Sequence, residues 1–263
     1  KPLGYRAFIP INADVWILTQ QGIVPMSALF QMSPEQASQT VSARINPRIS
    51  EFSQLLPFNH EWTGAFWPAG RRVYISVPTS STQVSYLVYS LDTQGWADIK
   101  LYSDTHGISL AIFNRLPYYG SATGIVWKGE TGQADAVTST NSESITYSGR
   151  SAFSFFGSRA NYKVFADIRP IVRTKRGITL NVGIDTDFQR ASTVTGVTTS
   201  PGTFTPWGSP WGSTWSSSLE YIFDRFATQG QGHSAAYRFG GSLKNSTMQI
   251  LGMEIRFNLG GQV

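Results

Sequence analysis

Cysteine is absent from all 263 residues. That excludes disulfides, thiolate nucleophiles and Cys-ligated metal sites. Charge is scarce: only 14% of residues are Asp, Glu, Lys or Arg, so the surface must be built largely from Ser, Thr, Asn and Gln. Histidine occurs three times, at His60, His106 and His233, scattered and outside HExxH or any other metal spacing. Serine is abundant, yet no GxSxG elbow presents one as a nucleophile. No apolar run reaches the 18 residues that a membrane-spanning helix needs. The opening "KPLGYRAFIP" has neither an initiator Met nor an apolar h-region, so it is expected to begin a processed or excised fragment and not a signal peptide.

What is present points to strands. Eight Trp, 11 Tyr and 16 Phe give an aromatic-rich chain, and 25 Gly supply many turns. With 41% hydrophobic residues the chain can bury one large or two moderate cores. The net charge of +5 permits contact with nucleic acid or an acidic protein without requiring either.

The pattern along the chain predicts an all-β protein in two parts. Residues 1–135 read as a partial propeller-like or barrel-like array of hairpins: one hairpin over about 14–27, then "RRVYISVP", then "LVYSLDTQGWADI". "ISLAIFNRLPYYGSATGIVWKGE" reads as two further strands joined around Gly120 to Gly124. A helical insertion is expected over about 33–56. Ser33 can cap it, Pro34 suits the first helical position and Gln36 the capping-box position. Val41, Ile45, Ile49, Phe52 and Leu56 recur at helical spacing, and Pro47 argues for a break or kink.

Residues 136–263 read as a β-sandwich-like domain whose final strands pair with its first, interrupted by a turn-rich loop over about 190–218. "NYKVFADIRPIVRTKRGITLNVGIDTDF" reads as a hairpin turning at "TKRG". Val164, Ala166 and Ile168 would share one face of its first strand, and Ile178, Leu180, Val182 and Ile184 one face of its second.

Several residue groups are candidate sites. Arg169, Arg173, Lys175 and Arg176 form a basic cluster; phosphate contact needs only positive charge and reach, though a solvated hairpin tip explains the same residues. Arg44, Arg48, Arg71 and Arg72 are a weaker group. Asp185 and Asp187 in "DTDF" could face a hard cation, but further ligands do not follow at EF-hand spacing, and an exposed strand end is the plainer reading. Asp14, Asp92, Asp98 and Asp104 sit at separate turns. The glutamates are not paired in sequence as glycoside hydrolysis requires. Trp207, Trp211 and Trp215 recur every four residues in "PWGSPWGSTW", where Pro210 and the glycines exclude a regular helix. They suit a lid over the sandwich end, a protein interface or a sugar-stacking surface.

The stretches "KPLGYRAFIPINADVWILTQQGIVPMSALF", "WPAGRRVYISVP", "LVYSLDTQGWADI", "GSATGIVWKGETGQADA" and "YKVFADIRPIV" together resemble segments of large virion proteins of short-tailed bacteriophages. These are head-to-tail connector or tail-hub proteins, including DNA-stabilising and tail-accessory proteins. The resemblance covers most of residues 1–190 and implies propeller-like and sandwich-like parts. It implies a structural role in the virion neck or tail, with no chemistry and no cofactor, and makes the chain the C-terminal part of a longer protein. The implied partners are portal, adaptor or tail subunits, the N-terminal remainder of the same protein, further copies around an axis, and packaged double-stranded DNA near the basic cluster. Two alternatives stay open: a carbohydrate-binding or capsule-degrading tail module, and a cellular propeller-like adhesion or scaffold domain.

Overall fold

The computed structural model describes residues 2–29, 40–55, 62–79, 84–99, 107–121, 124–132, 134–136, 142–174, 178–190, 195–198, 220–222 and 224–262. Of these, 63% are in strands and 9% in helices, so the protein is all-β, without a closed barrel. The chain divides into two compact units, Lys1–Thr131 and Gly132–Val263.

The first unit opens with β1 (Phe8–Ile11), β2 (Asp14–Thr19) and β3 (Gly22–Pro25), an antiparallel meander. Short helices α1 (Met26–Leu29) and α2 (Asn46–Leu55) follow, α2 being preceded by a 3₁₀ turn over Ala43–Ile45. Pro47 lies in the first turn of α2, where its missing N–H costs nothing, so it starts this helix instead of kinking a longer one. Ser33, Pro34 and Gln36 lie outside the described residues. Ile49 is fully buried, and Val41, Ile45 and Phe52 pack against the same core.

A second meander contains β4 (Thr63–Trp67), β5 (Arg72–Pro78), β6 (Val84–Ser90) and β7 (Gly95–Ile99). The third contains β8 (Gly107–Phe113), β9 (Leu116–Ser121) and β10 (Val126–Lys128). The sequence pattern predicted two strands here. The missed turn is Asn114–Arg115, a two-residue hairpin loop with φ of 46° and 63° between the paired Phe113 and Leu116. Both residues occupy the left-handed region without a glycine to announce it.

The period-2 pattern of β5 and β6 serves two cores at once. Val73, Ile75, Val77, Leu87 and Tyr89 join Ile9, Leu18, Ile23 and Ile49 in one core. Tyr74, Tyr86 and Val88 point the other way and meet Tyr119. The central meander is thus packed on both faces, and the result is an open stack of hairpin sheets. Gly64 shows how close the layers come: a Cβ there would sit 2.3 Å from Ile9 Cδ1.

The second unit begins with the two-residue strands β11 (Asp135–Ala136) and β12 (Ser142–Glu143), which pair with each other. Then come β13 (Ile145–Arg150), β14 (Asn161–Thr174), β15 (Ile178–Thr186), β16 (Thr195–Thr198), β17 (Glu220–Ile222), β18 (Phe226–Gly232), β19 (Ala235–Leu243) and β20 (Met248–Gln262). One sheet runs β13-β19-β15-β16. In the other, β14 is central, with β20 along one edge and β18 then β17 along the other. The late strands β19 and β20 pair with the early β13 and β14. Phe165, Ile168 and Val172 of one sheet face Ile178, Leu180, Val182 and Ile184 of the other, giving a two-sheet sandwich.

Two expectations are corrected here. β14 and β15 do not pair as a hairpin; they lie in opposite sheets. Both carry one largely apolar face, and burying two such faces against each other requires them to be stacked, not laid side by side. Val164 also does not share a face with Ile168. A β-bulge between Phe165 and Asp167 changes the alternation, so Phe165 and Ile168 turn inward while Val164 is exposed.

Candidate functional site: the charged face of the long central strand

The outer face of β14 carries the described part of the basic cluster. Cross-strand register places Asp167 opposite Arg256 and Arg169 opposite Glu254. Adjacent positions on each strand thus alternate in sign, and opposite positions are complementary. Arg169 Nη1 lies 3.3 Å from Glu254 Oε2, and Arg225 Nη2 lies 3.8 Å from the same oxygen. Arg225 Nη1 donates to Asp167 Oδ1 at 2.9 Å, and Arg256 pairs with the other oxygen of Asp167. The carboxylate of Asp167 is almost wholly buried, and two guanidinium groups compensate that desolvation.

Arg169 is therefore a strand-to-strand tie and not an outstretched basic side chain. Arg173 lies two steps of the alternation further along, is exposed, and stands opposite the uncharged Gln249. Lys175 and Arg176 follow it in sequence but lie outside the described residues. Three arginines of this face, Arg169, Arg225 and Arg256, share two carboxylates, Asp167 and Glu254, and Arg173 adds a fourth positive charge to it. The excess is shared by the whole unit: residues 132–263 hold 12 of the 21 basic and 8 of the 16 acidic residues, hence four of the five surplus charges.

The other candidate groups are held by structural partners. Asp185 is fully buried, 3.2 Å from Arg238 Nε and 3.8 Å from Arg150 Nη1, so it is neither an exposed strand end nor part of a cation loop. Asp187 does not share its face, because residues 187 and 188 form a two-residue turn with φ of 46° and 62°. Asp187 Oδ1 instead accepts from the backbone amides of His233 and Ser234, both at 2.9 Å. Among the described residues no group of three or more His, Asp or Glu is placed to hold a metal ion. His233 packs edge-on to Tyr162. His60, His106 and Asp104 lie outside the described residues, as do Trp207, Trp211 and Trp215.

In the first unit, Arg48 pairs with Asp98 at 2.5 Å, Arg71 with Asp92 at 2.5 Å and Arg72 with Glu130 at 3.0 Å; Arg44 is exposed. The carboxyl of Asp14 is held below its usual range chiefly by the Ser27 hydroxyl. Tyr74 also donates to Glu130, and burial followed by that carboxylate pushes the phenol far above its ordinary value. Sequence reasoning missed two polar ties, each built on one buried side chain. One is this Tyr74–Glu130–Arg72 group. The other is Lys163, whose Nζ donates to the carbonyls of Ser158, Asn161 and His233 at 2.6, 2.8 and 3.2 Å. A lysine in an alternating strand looks like any solvated one, so no sequence signal marks it.

The fold and this face define an all-β protein with an open stack of hairpin sheets, a two-sheet sandwich and charge ladders between strands. Compared with known proteins, the chain matches no family model and no curated sequence.

Proposed function

We propose that the chain is a non-enzymatic structural component of a short-tailed bacteriophage neck or tail, joining portal or tail subunits and contacting the DNA that passes them. The observation that carries this reading is the use made of the charged side chains. Asp92, Asp98, Glu130, Asp167, Asp185 and Glu254 each tie an arginine from another part of their unit, and for Asp167, Asp185 and Glu254 an arginine of a neighbouring strand is among the partners. Such ties suit a protein whose task is to hold shape between neighbours. The resemblance of "WPAGRRVYISVP", "LVYSLDTQGWADI" and "YKVFADIRPIV" to virion connector segments supports the same reading, as does the hairpin array followed by a sandwich.

On this reading the phosphate-binding region lies at the Arg173 end of β14 together with Lys175 and Arg176, since Arg169 is occupied by Glu254. Light scattering on the chain joined to any upstream sequence its gene encodes is expected to give a ring-sized assembly, larger than that of the chain alone. Fluorescence anisotropy with duplex DNA is expected to show salt-dependent, sequence-independent binding. Reversing Arg173, Lys175 and Arg176 to Glu should weaken it and flatten the log–log salt dependence by about 0.9 for each phosphate that is no longer neutralised. A monomer in both forms that leaves DNA unbound at low salt would count against the proposal.

A further inference from the structure

The strand β20 runs for 15 residues, Met248–Gln262, along the margin of its sheet. Among the described residues it pairs only with β14, so its other edge presents a row of backbone donors and acceptors. An edge of this length is a template for pairing with another chain. Its side chains say which chain. Glu254 and Arg256 are exposed on the outer face, while Met253, Ile255 and Phe257 turn toward the core.

From this alternation we infer that β20 pairs antiparallel with β20 of a second copy, about a two-fold axis at Ile255. In that register Glu254 of each copy faces Arg256 of the other, twice over. On the inner face Met253 meets Phe257 and Ile255 meets itself, so the apolar layer continues across the junction. Antiparallel pairing keeps faces matched only when the centre falls on a residue. The neighbouring centres put like charges opposite: Glu254 against Glu254 in one, Arg256 against Arg256 in the other. Like charges directly opposite are destabilising, so the sequence of this edge favours the Ile255 centre over both of its neighbours. The irregularity between Ile171 and Val172, which sets Leu251 outside the β14 register, and the one between Asn161 and Lys163 limit the regular stretch to residues 252–259.

The interface is isologous: it joins copies in pairs and does not by itself build a ring. It rests on the edge strand alone and stands whether or not the chain serves in a virion.

Sedimentation velocity on the wild-type chain is expected to show a dimer. Glu254→Arg and Arg256→Glu should each weaken it about ten-fold or more, because each variant places like charges opposite one another at both junction pairs. Mixing the two variants should restore a heterodimer, in which every facing pair is again opposite in sign. The substitutions also remove ion pairs within the sheet, so a second readout uses the unaltered chain. Hydrogen exchange of the β20 amides should slow as its concentration rises, while the amides of β15 stay constant. A wild-type monomer at ~100 µM, single variants that dimerise as tightly as wild type, or β20 exchange that ignores concentration would each overturn the inference.

Discussion

At the scale of single residues, this protein handles burial of charge by pairing. Asp185 has no exposed surface, and Arg238 beside it is nearly as enclosed. Removing one partner of such a pair leaves the other desolvated and uncompensated, which costs far more than the pair itself contributes. Asp185→Ala is therefore expected to destabilise the second unit by about 3–5 kcal/mol in urea denaturation. A loss below about 1 kcal/mol would mean that water reaches Arg238. The sequence marked Asp185 and Asp187 as a pair because they stand two apart in a strand pattern. It could not show that the strand ends between them, sending Asp187 to cap the amides of His233 and Ser234.

At the scale of elements, two hairpins carry a local conflict. The β8–β9 turn asks Arg115 for a φ of 63°, where only glycine is free of a Cβ penalty. Arg115→Gly leaves the carbonyl that accepts from Trp67 Nε1 in place. It is expected to raise the stability of the first unit by about 0.5–1 kcal/mol, read as an upward shift of its denaturation midpoint. In the β11–β12 pair, Asp135 faces Glu143 directly. Burial, and then Glu143, raise the Asp135 pKa. A carboxyl raised on folding holds its proton more tightly in the folded state, so its contribution is present at acid pH and lost as pH rises through the folded pKa. Asp135→Asn should consequently match wild type near about pH 3 and exceed it at neutrality by less than about 1 kcal/mol, the partial exposure of both groups keeping the effect small. The same advantage at both pH values would refute the repulsion.

At the scale of the whole molecule, each unit has its own cores. Those of the first gather around β5 and β6 and the one of the second between its two sheets. Damage to one core should stay within its unit. Leu180→Ala, at a fully enclosed position on β15, is expected to cost the sandwich about 2–5 kcal/mol. Hydrogen exchange followed by mass spectrometry should show faster exchange in β14, β15 and β19 with β5 and β6 unchanged. Loss of protection in both units together would mean that they unfold as one.

The all-β class and most of the strands were legible in the residues alone, because alternation of apolar and polar residues is a local property. The sequence by itself also determined which residues are basic and where they cluster. Only the tertiary structure decided that "VRTKRGITLNVGIDTDFQ" is two strands in opposite sheets and not a hairpin, since two apolar faces can be buried either way until the neighbouring strands claim the edges. It likewise decided that Arg169 is spent on Glu254, 85 residues away, because register between distant strands sets which charges meet. β18 went unread for the same reason: "FATQGQG" lacks a pattern of its own and becomes a strand only along the edge that β14 offers.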